Sequence, residues 1–170
     1  MKLIMYPAMT LDGFIADPGG ECYSWIEDND EAEYSAAQKR AGADIVGRKT
    51  YEQYKDEYDV KTDVTTFVCT NQEDYQDTEH VKFIRGTAEE MYRAVGSYGF
   101  NEAILSGGGE INGLFAAAGL VDEIIISVYP LILGEGISLF GSYHPNLKLE
   151  LLSSVTNDTG ITKNHYKVVR

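Results

Sequence analysis

The sequence predicts a three-layer α/β domain with a central, mostly parallel sheet, helices on both faces and an antiparallel hairpin at its C-terminal end. Three observations predict it. Short apolar runs alternate with polar, helix-favouring stretches along the whole chain. The connections between them are short, with no repeat, low-complexity tract or linker. The last two apolar runs flank Asn157-Asp-Thr-Gly160, a turn sequence suited to a hairpin. At 170 residues the chain is most simply one domain, residues 1–170, long enough to bury a core without staples.

Taken in order, residues 3–9 read as a buried strand and residues 13–16 as its continuation or a following loop. Pro18-Gly19-Gly20 makes a turn. Residues 27–40 are polar and helix-favouring, with Asp28 or Asp30 as N-cap and Gly42 as the C-terminal glycine. Residues 43–46, 65–70 and 81–84 are short strands. Residues 87–95 form a helix whose Thr87 and Glu90 make a capping box. Residues 103–106, 123–129 and 147–155 are further strands, and residues 165–169 close the hairpin.

Composition narrows the function classes. A formal charge of −13 opposes a nucleic-acid or anionic-membrane partner, which calls for a basic face. Cys22 and Cys69 lie far apart without CxxC spacing, so neither a disulfide framework nor a zinc site is expected, and a reducing cytoplasm fits best. The N-terminal apolar run is too short for a signal peptide. His80, His144 and His165 share no metal-ligand spacing, so no metal is expected.

The most informative stretch is Ala103-Ile-Leu-Ser-Gly-Gly-Gly-Glu-Ile-Asn-Gly-Leu-Phe115, an apolar strand running through three glycines into a helix. Gly107, Gly108 and Gly109 let the backbone approach another molecule closely, and the helix start offers unpaired N–H groups to an anion. A single glycine would suffice for a bare turn. The obvious anion is a nucleotide pyrophosphate. Reading G-x-G-x-x-G from Gly107 puts Asn112 at the third glycine, which argues against a doubly wound dinucleotide domain. A near-miss to a P-loop at Gly42 to Lys49 fails too, because its four intervening residues read as a strand. What remains is a corner, Gly47-Arg48-Lys49-Thr50, at a strand end. Arg48 can fork onto phosphate, Lys49 add a point charge and Thr50 offer a hydroxyl. Two anion-friendly turns could hold the two ends of a dinucleotide.

Four segments, in this order, resemble the dihydrofolate reductase-like superfamily. They are Ala8-Met-Thr-Leu-Asp-Gly-Phe-Ile-Ala16, Ile45-Val-Gly-Arg-Lys-Thr-Tyr51, Ile104-Leu-Ser-Gly-Gly-Gly-Glu110 and Tyr129-Pro-Leu-Ile-Leu-Gly-Glu-Gly-Ile-Ser-Leu-Phe140. The first and last resemble the subgroup of the reductase domain in bifunctional riboflavin-biosynthesis enzymes. The resemblance implies a reductase using NADPH, with Ala8 and Ile15 at the nicotinamide. It places Gly47, Arg48, Lys49 and Thr50 at the adenosine side and pyrophosphate, Thr70 and Asn71 at the ribose, and Ser106, Gly107, Gly108, Gly109, Glu110 and Ile111 around the pyrophosphate. Thr70-Asn-Gln72 has no cation for a 2′-phosphate, so Arg48 is expected to supply it.

Reducing a C=N bond needs a hydride and a proton, and a carboxylate in an apolar pocket can assist protonation. In the family the chain resembles, that acid lies in the first turns of the helix before the Gly-Arg-x-Thr corner, and the resemblance puts Glu31 there, with an ungapped stretch to Gly47; acids in a first helical turn are also favoured by the helix dipole alone. Asp12 is the rival acid, although Asp-Gly is also a common turn pair. The resemblance also implies that Trp25, Tyr129 and Pro130 fall on the substrate side. Tyr51, with Tyr54 and Tyr58, lies at helical spacing that suits either the substrate cleft or packing. The expected reaction is dihydrofolate reduction. The alternatives are reduction of a ribosylamino-pyrimidine of riboflavin synthesis, or NADP binding without catalysis. The apolar C-terminal strands could serve a homodimer, as in the family.

Overall fold

The computed structural model describes residues 1–22 and 24–170. Pro7 divides the first apolar run. Strand β1 (Lys2–Met5) stops before it and β2 (Ala8–Thr10) starts after it, so the predicted strand over residues 3–9 is two strands. Proline has no N–H to give to a ladder, and both short strands instead pair with the same neighbour, β8 (Glu123–Tyr129), in parallel. β3 (Phe14–Ala16) leaves the main sheet and pairs antiparallel with β9 (Ile137–Ser138).

Helix α1 (Asp28–Ala41) ends at Gly42, whose φ of 72° needs a residue without Cβ. Its N-cap is Glu27, with no side-chain cap bond, rather than Asp28 or Asp30. Asp30 is turned inward, as described below. Then come β4 (Ala43–Gly47), α2 (Arg48–Gln53), α3 (Lys55–Val60), β5 (Thr65–Cys69) and β6 (Val81–Ile84). α4 (Ala88–Gly96) carries the expected capping box between Thr87 and Glu90. β7 (Glu102–Gly107) runs into α5 (Gly109–Ala117), and β10 (Lys148–Thr156) pairs antiparallel with β11 (Thr162–Val169) as the closing hairpin.

The described residues form a nine-stranded sheet in the order β10-β11-β8-β1-β7-β4-β5-β6, with β2 joined to β8. Pairing is parallel from β8 to β6 and antiparallel in the hairpin and its junction with β8. Alternation along the strands sorts side chains to two faces. Leu3, Met5, Ile45, Phe67 and Leu105 pack beneath Met91 and Val95 of α4 and Phe115 of α5. Ile4 and Ile104 face Ala37 and Ala41 of α1, while Val46 and Val68 face Tyr51 and Tyr58 of α2 and α3. Helices therefore cover both faces, and each fully buried large side chain contributes about 1.5–3 kcal/mol.

This topology positions the site. In the parallel part the strands finish together: Gly47 is in register with Cys69, and Val46 with Gly107. The segments that leave β4, β5 and β7 therefore emerge side by side at the carboxyl edge, where open α/β sheets leave a crevice.

Candidate active site

A cavity of about 710 Å³ opens at that edge. One wall comes from the N-terminal strands and α1, through Ala8, Ile15, Asp30, Glu31 and Tyr34. Gly47, Arg48, Lys49 and Thr50 form the second, and Ser106, Gly108, Gly109, Glu110 and Ile111 the third. Thr70, Asn71 and Gln72 close the far end beyond β5. The two predicted anion turns thus open on one space. They are also joined directly, since the Gly108 N–H donates to Thr50 Oγ1 at 3.0 Å.

Close approach explains the glycines. A Cβ on Gly108 would lie 3.3 Å from Thr50 Oγ1, and one on Gly109 2.3 Å from the Ser138 carbonyl oxygen. A Cβ on Gly47 would lie 2.8 Å from Ile111. Gly107 has φ of 94° and the peptide between Gly107 and Gly108 is cis; Gly107 itself lies behind the wall. Asn112, buried on the first turn of α5 and lining the cavity, has an Oδ1 with no hydrogen-bond partner. Two glycine turns with free backbone N–H groups and two neighbouring cations, Arg48 and Lys49, fit a phosphate-bearing ligand such as a dinucleotide. The guanidinium of Arg48 is held by the Glu52 carboxylate at 2.8 and 3.0 Å, and Tyr75 also donates to Glu52. The Glu110 carboxylate points away from the cavity and accepts from Ser142 N–H and Oγ at 2.9 and 2.7 Å, so only its backbone can serve a ligand.

The two candidate acids separate. Glu31 lines the cavity. Asp12 does not: its carboxylate accepts from Thr10 Oγ1 at 2.6 Å and from the N–H groups of Leu133 and Gly134 at 3.3 and 2.7 Å. These bonds hold its carboxyl below the usual range, that from Thr10 first. Asp12 is a clamp between two loops. Four expected substrate residues also lie off the wall. Tyr51 is buried against Phe83 and donates to Asp59 at 2.9 Å, because its position on α2 faces the sheet. Tyr54 and Tyr58 do line the cavity. Trp25 packs edge-on against Tyr129 at 5.0 Å, and Pro130 is exposed.

Tyr129 supports a residue that sequence reasoning missed. Asp30, 9 % exposed, accepts from Tyr129 Oη at 3.0 Å, from Ser127 Oγ at 2.8 Å and from the Lys163 ammonium at 2.6 Å. Lys163 also reaches Glu33 at 2.6 Å. Burial works against the lysine charge, but the bonds to Asp30 and Glu33 outweigh it and raise its pKa. Burial, with the Asp30 charge, raises Tyr129 as well. The available signal was the α1 face made by positions 30, 34, 37, 38 and 41, which puts Asp30 and Tyr34 toward the sheet.

Residues 1–163 match the sequence profile of the RibD C-terminal domain. The chain belongs to that family. It is 32 % identical over 155 residues to the uncharacterised protein YwjB of Bacillus subtilis, covering 88 % of each chain. It resembles the crystal structure of a candidate riboflavin biosynthesis protein from Shewanella sp. PV-4, with a TM-score of 0.85, 25 % identity and full coverage of both chains. Dihydrofolate reductase from Enterococcus faecalis, solved with NADP(H), shares the fold at a TM-score of 0.74 and 18 % identity, over 99 % of this chain and 97 % of that one. This RibD C-terminal domain has, among its described residues, no cluster of His, Cys, Asp and Glu that could hold a metal and no helix long and apolar enough to cross a membrane.

Proposed function

We propose that the protein is an NADPH-dependent oxidoreductase that reduces a ribosylamino-pyrimidine of the riboflavin-biosynthesis type. The observation that carries the cofactor is the single cavity onto which both glycine turns open, tied by the Gly108–Thr50 hydrogen bond. Membership of the RibD C-terminal family and the higher structural similarity to the Shewanella protein favour the pyrimidine over dihydrofolate. The dihydrofolate reading therefore gives way to what began as its alternative.

The residues divide the work along the cavity. Gly47, Lys49, Thr50 and the first turn of α5 would hold the phosphates. Ala8 and Ile15 flank the reacting end. When bound, NADPH supplies the hydride. Glu31, at the cavity wall on α1, assists protonation of the substrate heteroatom. Asp30, with its three donors, is a fixed anchor for the wall and for substrate N–H groups. The exposed apolar residues of β10 support a homodimer built on that edge.

NADPH oxidation measured with the ribosylamino-pyrimidine and with dihydrofolate, side by side, tests the reading. Turnover of the pyrimidine is expected. A melting temperature unmoved by NADPH would remove cofactor binding altogether.

A further inference from the structure

Beneath the cavity floor lies a closed ring of hydrogen bonds that the proposed reductase chemistry has not used. Asp44 of β4 is fully buried, 0 % exposed. Its Oδ1 accepts from Ser106 Oγ and its Oδ2 from Gln38 Nε2 at 2.8 Å. The same Gln38 Nε2 donates to Tyr34 Oη at 2.8 Å, and Tyr34 donates in turn to Ser106 Oγ at 2.5 Å. Tyr34 and Ser106 both line the cavity, whereas Asp44 and Gln38 do not. Tyr34 stands one turn along α1 from Asp30 and Glu31.

Followed from donor to acceptor, both arms of this ring end on the carboxylate. Gln38 can only donate through Nε2, so its two bonds are fixed. The two hydroxyls are not: each can turn around. If Asp44 is protonated, Oδ1–H donates to Ser106, Ser106 donates to Tyr34, and the Tyr34 proton is released to face the cavity while Gln38 keeps both its bonds. Both arrangements satisfy every group. We propose that Asp44 is a proton store for the cavity, exchanging its proton with bound substrate or water through the Ser106 and Tyr34 hydroxyls. On discharge the Asp44 O–H bond breaks as Ser106 gains that proton, the Ser106 proton passes to Tyr34, and the Tyr34 proton passes to the acceptor. The charge left is the Asp44 carboxylate, in the arrangement observed. Refilling runs the same bonds backwards, and no electrons move.

The surroundings suit a group that is neutral when loaded. Tyr34 and Gln38 face Asp44 from α1, Ser106 from β7 and Thr66 from its register position on β5. Lys61, just past α3, is the cation in reach, bonded to Gln38 Oε1 at 3.2 Å. Burial raises the Asp44 carboxyl, against the bond from Ser106 and the charge of Lys61. Asp44 acts through Ser106 and Tyr34 and is a positioning residue rather than a catalytic one.

The link to turnover rests on the proposed reductase reading; the store does not. Infrared spectra of the full chain without cofactor or substrate, taken across pH, should contain a protonated-carboxyl band absent from Asp44→Asn. On mixing into D2O that band should exchange more slowly in Ser106→Ala, and Ser106→Thr, which keeps the hydroxyl, should restore the rate. A wild-type protein with no such band, or a rate that Ser106→Ala leaves unchanged, overturns the proposal. Aspartate labelled with 13C at the carboxyl reads the same titration in unmutated protein should Asp44→Asn fail to fold. With NADPH and the pyrimidine, Asp44→Asn should lower kcat about 100-fold while KM for NADPH stays unchanged. A wild-type enzyme that ignores the pyrimidine would reject the reductase reading and leave the spectroscopic result to decide the store.

Discussion

Thr50 Oγ1 receives the Gly108 amide proton at 3.0 Å, so the start of α2 after β4 is tied directly to the turn after β7. Thr50→Val removes the acceptor and keeps the shape. NADPH binding should weaken about five- to tenfold, or about 1–1.4 kcal/mol, with the melting temperature little changed. Fluorescence titration with NADPH measures it, and equal affinity in both proteins would show that the tie does not shape the site.

Asp30 and Glu31 are neighbours with different surroundings: Asp30 is buried among three donors and Glu31 lines the cavity. Asp30→Asn exchanges a charged acceptor of three donors for a neutral one and should cost about 2 kcal/mol, lowering the melting temperature by roughly 4–8 °C. Glu31→Gln should leave the melting temperature nearly unchanged and lower pyrimidine turnover about 100-fold. Calorimetry and NADPH-oxidation rates on the two variants separate the duties, and a reversed pattern would exchange the roles.

Asp44 makes stability depend on pH in the direction opposite to a salt-bridged aspartate. Its native pKa is raised by burial above the ordinary 3.8, so between those values the folded chain holds more protons than the unfolded one. That contribution is present at low pH and is lost as pH rises through the window. The melting temperature of wild type minus that of Asp44→Asn should therefore fall with rising pH. A flat or rising difference would contradict a carboxyl raised by burial.

Cys22 lines the cavity, and burial pushes its thiol up to about 11. Iodoacetamide should label it slowly at neutral pH and about tenfold faster for each unit toward that value, because the thiolate is the nucleophile. Cys69, pushed up to about 12 and buried, should stay unlabelled in the native protein. NADPH should protect Cys22, and mass spectrometry of the labelled chain tests both.

Along β10 Leu151 is 54 % and Val155 66 % exposed on the outermost strand of the sheet. A long apolar edge of this kind is ordinarily covered. Leu151→Glu should convert a dimer to a monomer in sedimentation runs. A wild-type protein that sediments as a monomer at high concentration would withdraw the dimer.

Strands, turns and the two glycine corners were legible because their signals are local. Glycine before a helix, apolar runs and the Thr87–Glu90 box each read directly from a few neighbouring residues. That Glu31 lines the cavity followed from the family resemblance. Asp30 was not, since an acid in a first helical turn looks solvated until Ser127, Tyr129 and Lys163 arrive from strands far along the chain. Asp12 failed for the complementary reason, its loop partners Leu133 and Gly134 being equally remote. The split of residues 3–9 was written in Pro7 and outvoted by hydrophobicity. The ring around Asp44 joins positions 34, 38, 44 and 106, which only the parallel register of β4 and β7 brings together.

The strand order also dictates an assembly schedule. β1 sits between β7 and β8, partners synthesised about a hundred residues after it. A chain emerging from the ribosome must carry the apolar segment Leu3-Ile-Met5 without its partner strands until roughly a hundred further residues have been made, and closing such distant pairs is slow. The centre of the sheet is therefore completed late, and the nascent chain carries an exposed segment for which chaperones and aggregation compete.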